Sequence, residues 1–139
     1  MQVQAASMQV RYVIDARTCA TFARRRARDL GYASFAAAEI STCASELATN
    51  LARHGRGGML EVLVGPTYLT LRATDRGPGS ARALAELLSR IRAGSNEPAS
   101  MHGLGVLVRW MDEVEVVDRE LGGLDMRTHR KLPSHASSR

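Results

Sequence analysis

Lysine is almost missing from this chain. Of the 19 basic residues only Lys131 is a lysine, and the other eighteen are arginine. Lys131 sits in no G-x-x-x-x-G-K-[ST] motif, so a phosphate loop of that type is excluded. A kinase lobe built on a strand lysine, or pyridoxal chemistry on a lysine, would have only this tail residue to use. Aromatic residues make up 4% of the chain, too few for a platform on which single-stranded bases stack. The two cysteines, Cys19 and Cys43, form neither a C-x-x-C motif nor a Cys/His zinc spacing. No run reaches the ~18 apolar residues of a membrane span. The longest candidate, Met59 to Val64, is cut by Glu61. No charged-then-apolar leader opens the chain. These absences point to a soluble, reduced, cytoplasmic protein that avoids membranes.

What is present describes one globular unit. With 139 residues, 45% hydrophobic and 24% charged, the chain is long enough to bury a core without metals or disulfides. A single domain over 1–139 is expected, its core at about 8–130, with loose tails at Met1–Ser7 and Pro133–Arg139. The net charge is +5. Arg24, Arg25, Arg26 and Arg28 could meet phosphate backbones. With so few aromatics they read instead as a solvated helix face, and nucleic acid is the least favoured partner.

Alternation of Val10, Tyr12 and Ile14 suggests a strand over Met8–Ile14. Asp15 can cap a helix running to about Leu30, with Cys19, Phe22, Ala23, Ala27 and Leu30 at helical spacing. Ser34 can cap a second helix, Phe35 to about His54, which Ala36–Ala38 favour and Gly55, Gly57 and Gly58 end. Leu60, Val62 and Val64, then Leu69, Leu71 and Ala73, read as a hairpin over Gly65-Pro66-Thr67. A third helix carries Leu84, Leu87, Leu88 and Ile91. Ala93–His102 reads as a mobile loop, and Gly103–Met111 as a short helix. Val114–Asp118 and Leu124–His129 form a second hairpin over Gly122-Gly123. The order β-α-α-β-β-α-α-β-β does not alternate as a doubly wound sheet would. It predicts an α/β two-layer sandwich, a mixed β-sheet with helices on one face.

Three segments could carry chemistry. On the second helix, at 100° per residue, Glu46 and Asn50 share a polar stripe with Glu39, Thr42 and Arg53, beside the apolar stripe of Ile40, Leu47 and Leu51. A carboxylate and a carboxamide one turn apart can accept a proton and hold a cation. The plain alternative is the wet face of an amphipathic helix. Asp75, ahead of Gly77 and Gly79, can accept from an exocyclic amine such as that of adenine, where glycines admit a flat ring. Asp, Gly and Pro also make ordinary turns. His102-Gly103-Leu104-Gly105 precedes a helix whose free amides could meet phosphate, or it is a hinge.

Together, Glu46-Leu47-Ala48-Thr49-Asn50, Asp75-Arg76-Gly77-Pro78-Gly79 and Gly103-Leu104-Gly105 resemble the N-box, D-x-G-x-G box and G-x-G box of the Bergerat-fold (GHKL) ATPases. Further stretches resemble the RsbT-type serine/threonine switch kinases of stressosomes. These are Ala27–Tyr32, Glu39–Thr42, Ser45–Ala48 and Arg109–Glu113, and the likeness runs from about Val10 to Arg130. The resemblance implies an α/β sandwich that binds ATP and Mg²⁺ and phosphorylates a STAS-domain regulator in partner switching. A PP2C-type phosphatase or a sigma factor would be a further partner. It implies that Glu46 is catalytic, orienting or deprotonating the acceptor hydroxyl, and that Asn50 ligates Mg²⁺. Arg53 would reach a phosphate and Asp75 would read the adenine amine. Gly77 and Gly79 would make room, and Gly103, Leu104 and Gly105 would cap the phosphates. The family's last hairpin carries Gly-Thr, whose hydroxyl helps hold adenine; here Gly123-Leu124 stands in that place. Two alternatives accompany this reading: an anti-sigma factor kinase that sequesters a sigma factor, and a non-catalytic module of the same fold.

Overall fold

A computed structural model describes residues 4–94 and 103–134. Five strands and four helices follow the expected order. They are β1 (Gln4–Val10), α1 (Asp15–Asp29), α2 (Ser34–Arg53), β2 (Gly58–Val64), β3 (Tyr68–Asp75), α3 (Ala81–Arg92), α4 (Leu104–Trp110), β4 (Glu113–Asp118) and β5 (Leu124–Lys131). The strands form one sheet in the order β1-β2-β3-β5-β4.

Every pairing in that sheet is antiparallel, so its strand directions are not mixed. The reason lies in the last hairpin. The α3–α4 crossover returns β4 parallel to β3, but β5 folds back and takes the place beside β3. β4 is left at the edge, where its only partner is antiparallel.

Period-two burial sorts the sheet into two faces. Leu60, Val62, Leu69, Leu71, Ala73, Met126 and Thr128 are buried toward the helices. Their neighbours Glu61, Arg72, Arg127 and Glu115 stand in one row across the other face. Helix α2 packs on β1, β2 and β3, α1 pairs with α2, and α3 and α4 lie against β4. The α1–α2 pair buries the small side chains Ala16, Cys19, Ala23, Ala27, Ala37, Ala44 and Ala48, and such small side chains let the helices approach closely. Burial raises the Cys19 thiol to about 11 and the Cys43 thiol to about 12. Both cysteines are therefore inert core residues at neutral pH.

Three local expectations are corrected. The first strand lies earlier than Met8–Ile14, and Gln4–Ser7 belongs to it rather than to a loose tail. Pairing decides this: Met8 faces Leu60 and Val10 faces Gly58, where β2 begins, so the chain must leave the sheet there. Tyr12 and Ile14 keep the period-two spacing of Val10 but sit outside the sheet, 68% and 76% exposed. Asp15 does not cap α1; Ile14 holds that position with a helical backbone. The Asp15 carboxylate instead accepts from the amides of Arg11 and Tyr12 at 2.8 and 2.9 Å, closing the β1–α1 loop. Those amide bonds, Tyr12's first, hold its carboxyl below the usual value. Ser34 lies inside the first turn of α2, behind an extended Ala33, and makes no cap. Ser80 does cap α3, accepting from the amide of Ala83.

The end of α4 is tied down by the Arg109–Glu113 stretch. Arg130 donates to the Trp110 carbonyl and to Glu39, both at 3.1 Å, and so links β5, α4 and α2. The Asp112 carboxylate accepts from the Lys131 amide at 2.7 Å. Tyr32 donates to the Lys131 carbonyl from the other side. Residues 95–102, which hold most of the expected loop and His102, lie outside the described residues.

Candidate functional site

Between α2, α3 and the ends of β3 and β5 lies a cavity of about 270 Å³. That is near the lower end of small-molecule pockets. Its walls are mostly apolar, formed by Leu47, Leu51, Ala73, Leu87, Leu104 and Met126. Asn50, His54, Asp75 and Ser80 bring polar groups to the same space. An apolar slot with a few convergent polar groups is what a flat heterocycle with polar edges requires.

Asp75 is positioned by β3, whose last residue it is. Its Oδ1 accepts from the Gly77 amide at 2.9 Å and from the Leu124 amide at 3.0 Å. Both of these backbone bonds fall on one oxygen. The Asp75 carbonyl is gripped separately by Arg119 at 2.6 Å. The carboxylate is thus fixed by backbone amides, which leave it an acceptor toward the cavity.

Glycines make the approach possible. A Cβ on Gly77 would come within 2.8 Å of the His54 carbonyl, and one on Gly79 within 2.7 Å of Leu124 Cδ1. Gly55 presses on Asp75 itself: a Cβ there would lie 2.8 Å from Oδ2. Gly103 caps α4 in the left-handed region at φ 63°, and a Cβ on it would collide with the Glu46 carboxylate. Glu46 and the G-x-G segment are therefore in direct contact.

The structure brings Asn50, Asp75, Gly79 and Leu104 to one cavity, with Gly77 directly behind the Asp75 wall. Glu46 lies one turn from Asn50 on α2, against Gly103. Arg53 is exposed at the end of α2, and Gly105 is half-buried in the first turn of α4; neither lines the cavity. Leu124 keeps the backbone bond to Asp75, while its side chain gives the cavity an apolar wall against Gly79. Gly55, His54 and Ser80 were not singled out from sequence as site residues. The Gly55 signal was visible as a glycine after a helix, and only its contact with Asp75 shows that it also serves the site.

These residues fit a purine nucleotide. Asp75 and the glycine-lined slot suit the base, and the Glu46–Gly103 contact places a carboxylate where the G-x-G amides begin. Among the described residues no three His, Cys, Asp or Glu side chains converge as a metal cage. No helix among the described residues is long and apolar enough to cross a membrane.

Comparison with curated proteins gave no match. The family model of the histidine kinase-like ATPase domain matches residues 10–127, which include all three glycine and carboxylate boxes and nearly the whole sandwich. The chain belongs to the histidine kinase-like ATPase domain family.

Proposed function

We propose that this chain is an ATP-dependent serine/threonine protein kinase that phosphorylates a STAS-domain regulator in a bacterial partner-switching pathway of the stressosome kind. The observation that carries the kinase reading is the contact of Glu46 with Gly103, one helical turn from the cavity residue Asn50. It sets a carboxylate beside the segment that would cap the phosphates, where an acceptor hydroxyl must arrive. The STAS partner is supported by the resemblance of Ala27–Tyr32, Glu39–Ala48 and Arg109–Glu113 to the switch kinases.

In this reading ATP supplies the phosphoryl group and Mg²⁺ offsets its charge. The protein's own work is positioning. Asp75 accepts from the adenine amine, and Gly77 and Gly79 leave room for the ring. Asn50 offers its amide oxygen to the metal. Glu46 holds the incoming hydroxyl and takes its proton. Arg53, exposed nearby, is available to a phosphate.

Incubation with labelled ATP, Mg²⁺ and a STAS protein encoded beside the gene tests this directly. Label is expected on one serine or threonine of that protein. One observation favours a second reading, a non-catalytic module of the same fold: Leu124 walls the cavity where the kinases carry a threonine hydroxyl. Tight binding of a STAS protein or sigma factor without any transfer would establish that reading instead.

A further inference from the structure

Asp75 lines a second cleft, of about 360 Å³, on its other side. Four arginines from four separate segments converge there. Arg11 follows β1, Arg56 follows α2, Arg76 follows β3, and Arg119 lies between β4 and β5. Asp75 is the only acidic residue on the wall, and its Oδ1 is engaged by backbone amides. Among the described residues none of the four guanidinium groups makes a salt bridge. With four arginines and one carboxylate on its wall, the cleft carries an excess of positive charge that an anion would offset.

The backbone gives an independent sign. Arg56 is the only non-glycine among the described residues with positive φ, at 59°. It stands directly before Gly57 at φ 83°, where a Cβ would come within 2.9 Å of the Val10 carbonyl. Glycine would adopt the Arg56 conformation without strain. An arginine held in the left-handed region keeps a guanidinium at the rim of this cleft, and strain of this kind gathers at functional positions.

We propose that this cleft is an oxyanion site that takes a phosphomonoester, separate from the nucleotide cavity and backed against it through Asp75. Planar guanidinium forks match phosphate oxygens two at a time. Arg119 is pre-positioned by its bond to the Asp75 carbonyl, and Arg56 and Arg76 are exposed to receive the ligand.

The test uses the full chain without nucleotide, with inorganic phosphate as the probe, at low salt so that screening is weak. Saturable binding is expected, with amide NMR shifts at Gly57, Gly58, Arg76 and Arg119. Arg56→Gly and Arg76→Gln should each weaken it about fivefold or more, as expected for loss of a charged hydrogen-bonding partner. Arg56→Gly should hold or raise the thermal midpoint, because it relieves the strained residue, so weakened binding cannot be misfolding. Acetate should bind far more weakly than phosphate. Unchanged affinity in both variants overturns the site. So do shifts confined to Gly103–Gly105, which would place the phosphate in the nucleotide cavity, and acetate binding as tight as phosphate. Because no nucleotide is present, these outcomes do not depend on the kinase reading.

Discussion

Two aspartates at one end of the β3–β5 pair have opposite surroundings. Asp75 closes β3 and faces the helix-side cavity, where the Gly77 and Leu124 amides hold it through one oxygen. Asp125, paired with Thr74 beside it, is buried on the other face. There Arg72 grips both its oxygens, at 2.8 to 3.3 Å, and Arg127 adds a further bond at 3.2 Å. Burial alone would raise the Asp125 carboxyl, but the hydrogen bonds from Arg72 and Arg127 outweigh it and hold the group below its usual range. A carboxylate already neutralised by guanidinium groups has little capacity left for a ligand. One fixed by amides retains it. The helix side of the sheet is therefore where chemistry belongs, and the open face is a lattice of charge pairs that supports the sheet.

The sharpest way to test this division is at Glu46. Replacing it with glutamine keeps the shape beside Gly103 and removes the base. If the proposed kinase reading holds, phosphate transfer to its protein substrate falls by roughly 10²–10⁴, the usual span for losing a positioned base. ATP binding, measured by calorimetry, should persist. Transfer at the wild-type rate would refute the catalytic assignment.

On the open face the expected effect is on stability. Asp125→Ala leaves Arg72 and Arg127 without their shared partner. It should cost about 2–3 kcal/mol in chemical denaturation, the loss of a hydrogen-bonded charge with its guanidinium groups left unpaired. Partial exposure of Arg72 lets water recover some of the loss. Nucleotide affinity of the folded variant should be unchanged. If it fell with stability, the two faces would not be separable.

The mirror experiment is Asp75→Asn. Asparagine keeps an oxygen for the Gly77 and Leu124 amides, so the fold should hold. An acceptor for the adenine amine is weakened, and ATP affinity should drop about tenfold, or ~1.4 kcal/mol. Equal affinity in calorimetry would remove Asp75 from the nucleotide site.

The same division explains what could be read in advance. Helix α2 announced its two stripes through local periodicity, and Ile40, Leu47 and Leu51 are buried as the wheel requires. Asp75, Gly79 and Leu104 stood out because turn and cap chemistry is written in adjacent residues. The features that went unseen depend on distant partners. Val10, Tyr12 and Ile14 alternate like a strand, and only the register with β2 shows that the sheet ends at Val10. Gly55 read as a helix stop because its contact with Asp75 joins residues far apart in the chain. The apolar walls Leu124 and Met126 reach Leu84 only when β5 returns beside β3. The Asp125 pairs and the arginine cleft are likewise assembled from separate segments, so no window of sequence contains them.

The smallest effect separates the two aspartates by pH. Despite burial, its guanidinium partners hold the Asp125 carboxyl below the ordinary aspartate value of 3.8, so the folded state binds its proton less readily than the unfolded state does. The stability this supplies is fully present well above 3.8 and is lost as pH falls through that value toward the folded pKa. Asp125→Asn removes the titrating group while keeping its size. The stability gap between wild type and this variant should therefore be constant near neutrality and narrow below pH 3.8. Asp15, lowered by the Tyr12 and Arg11 amides, adds its own acid sensitivity, but equally to both proteins, so it cancels in the difference. Denaturation curves across the acid range would show this. A gap that stays the same width through that range would mean that Asp125 acts by packing and hydrogen-bond geometry alone, and the charge lattice would lose its role on the open face.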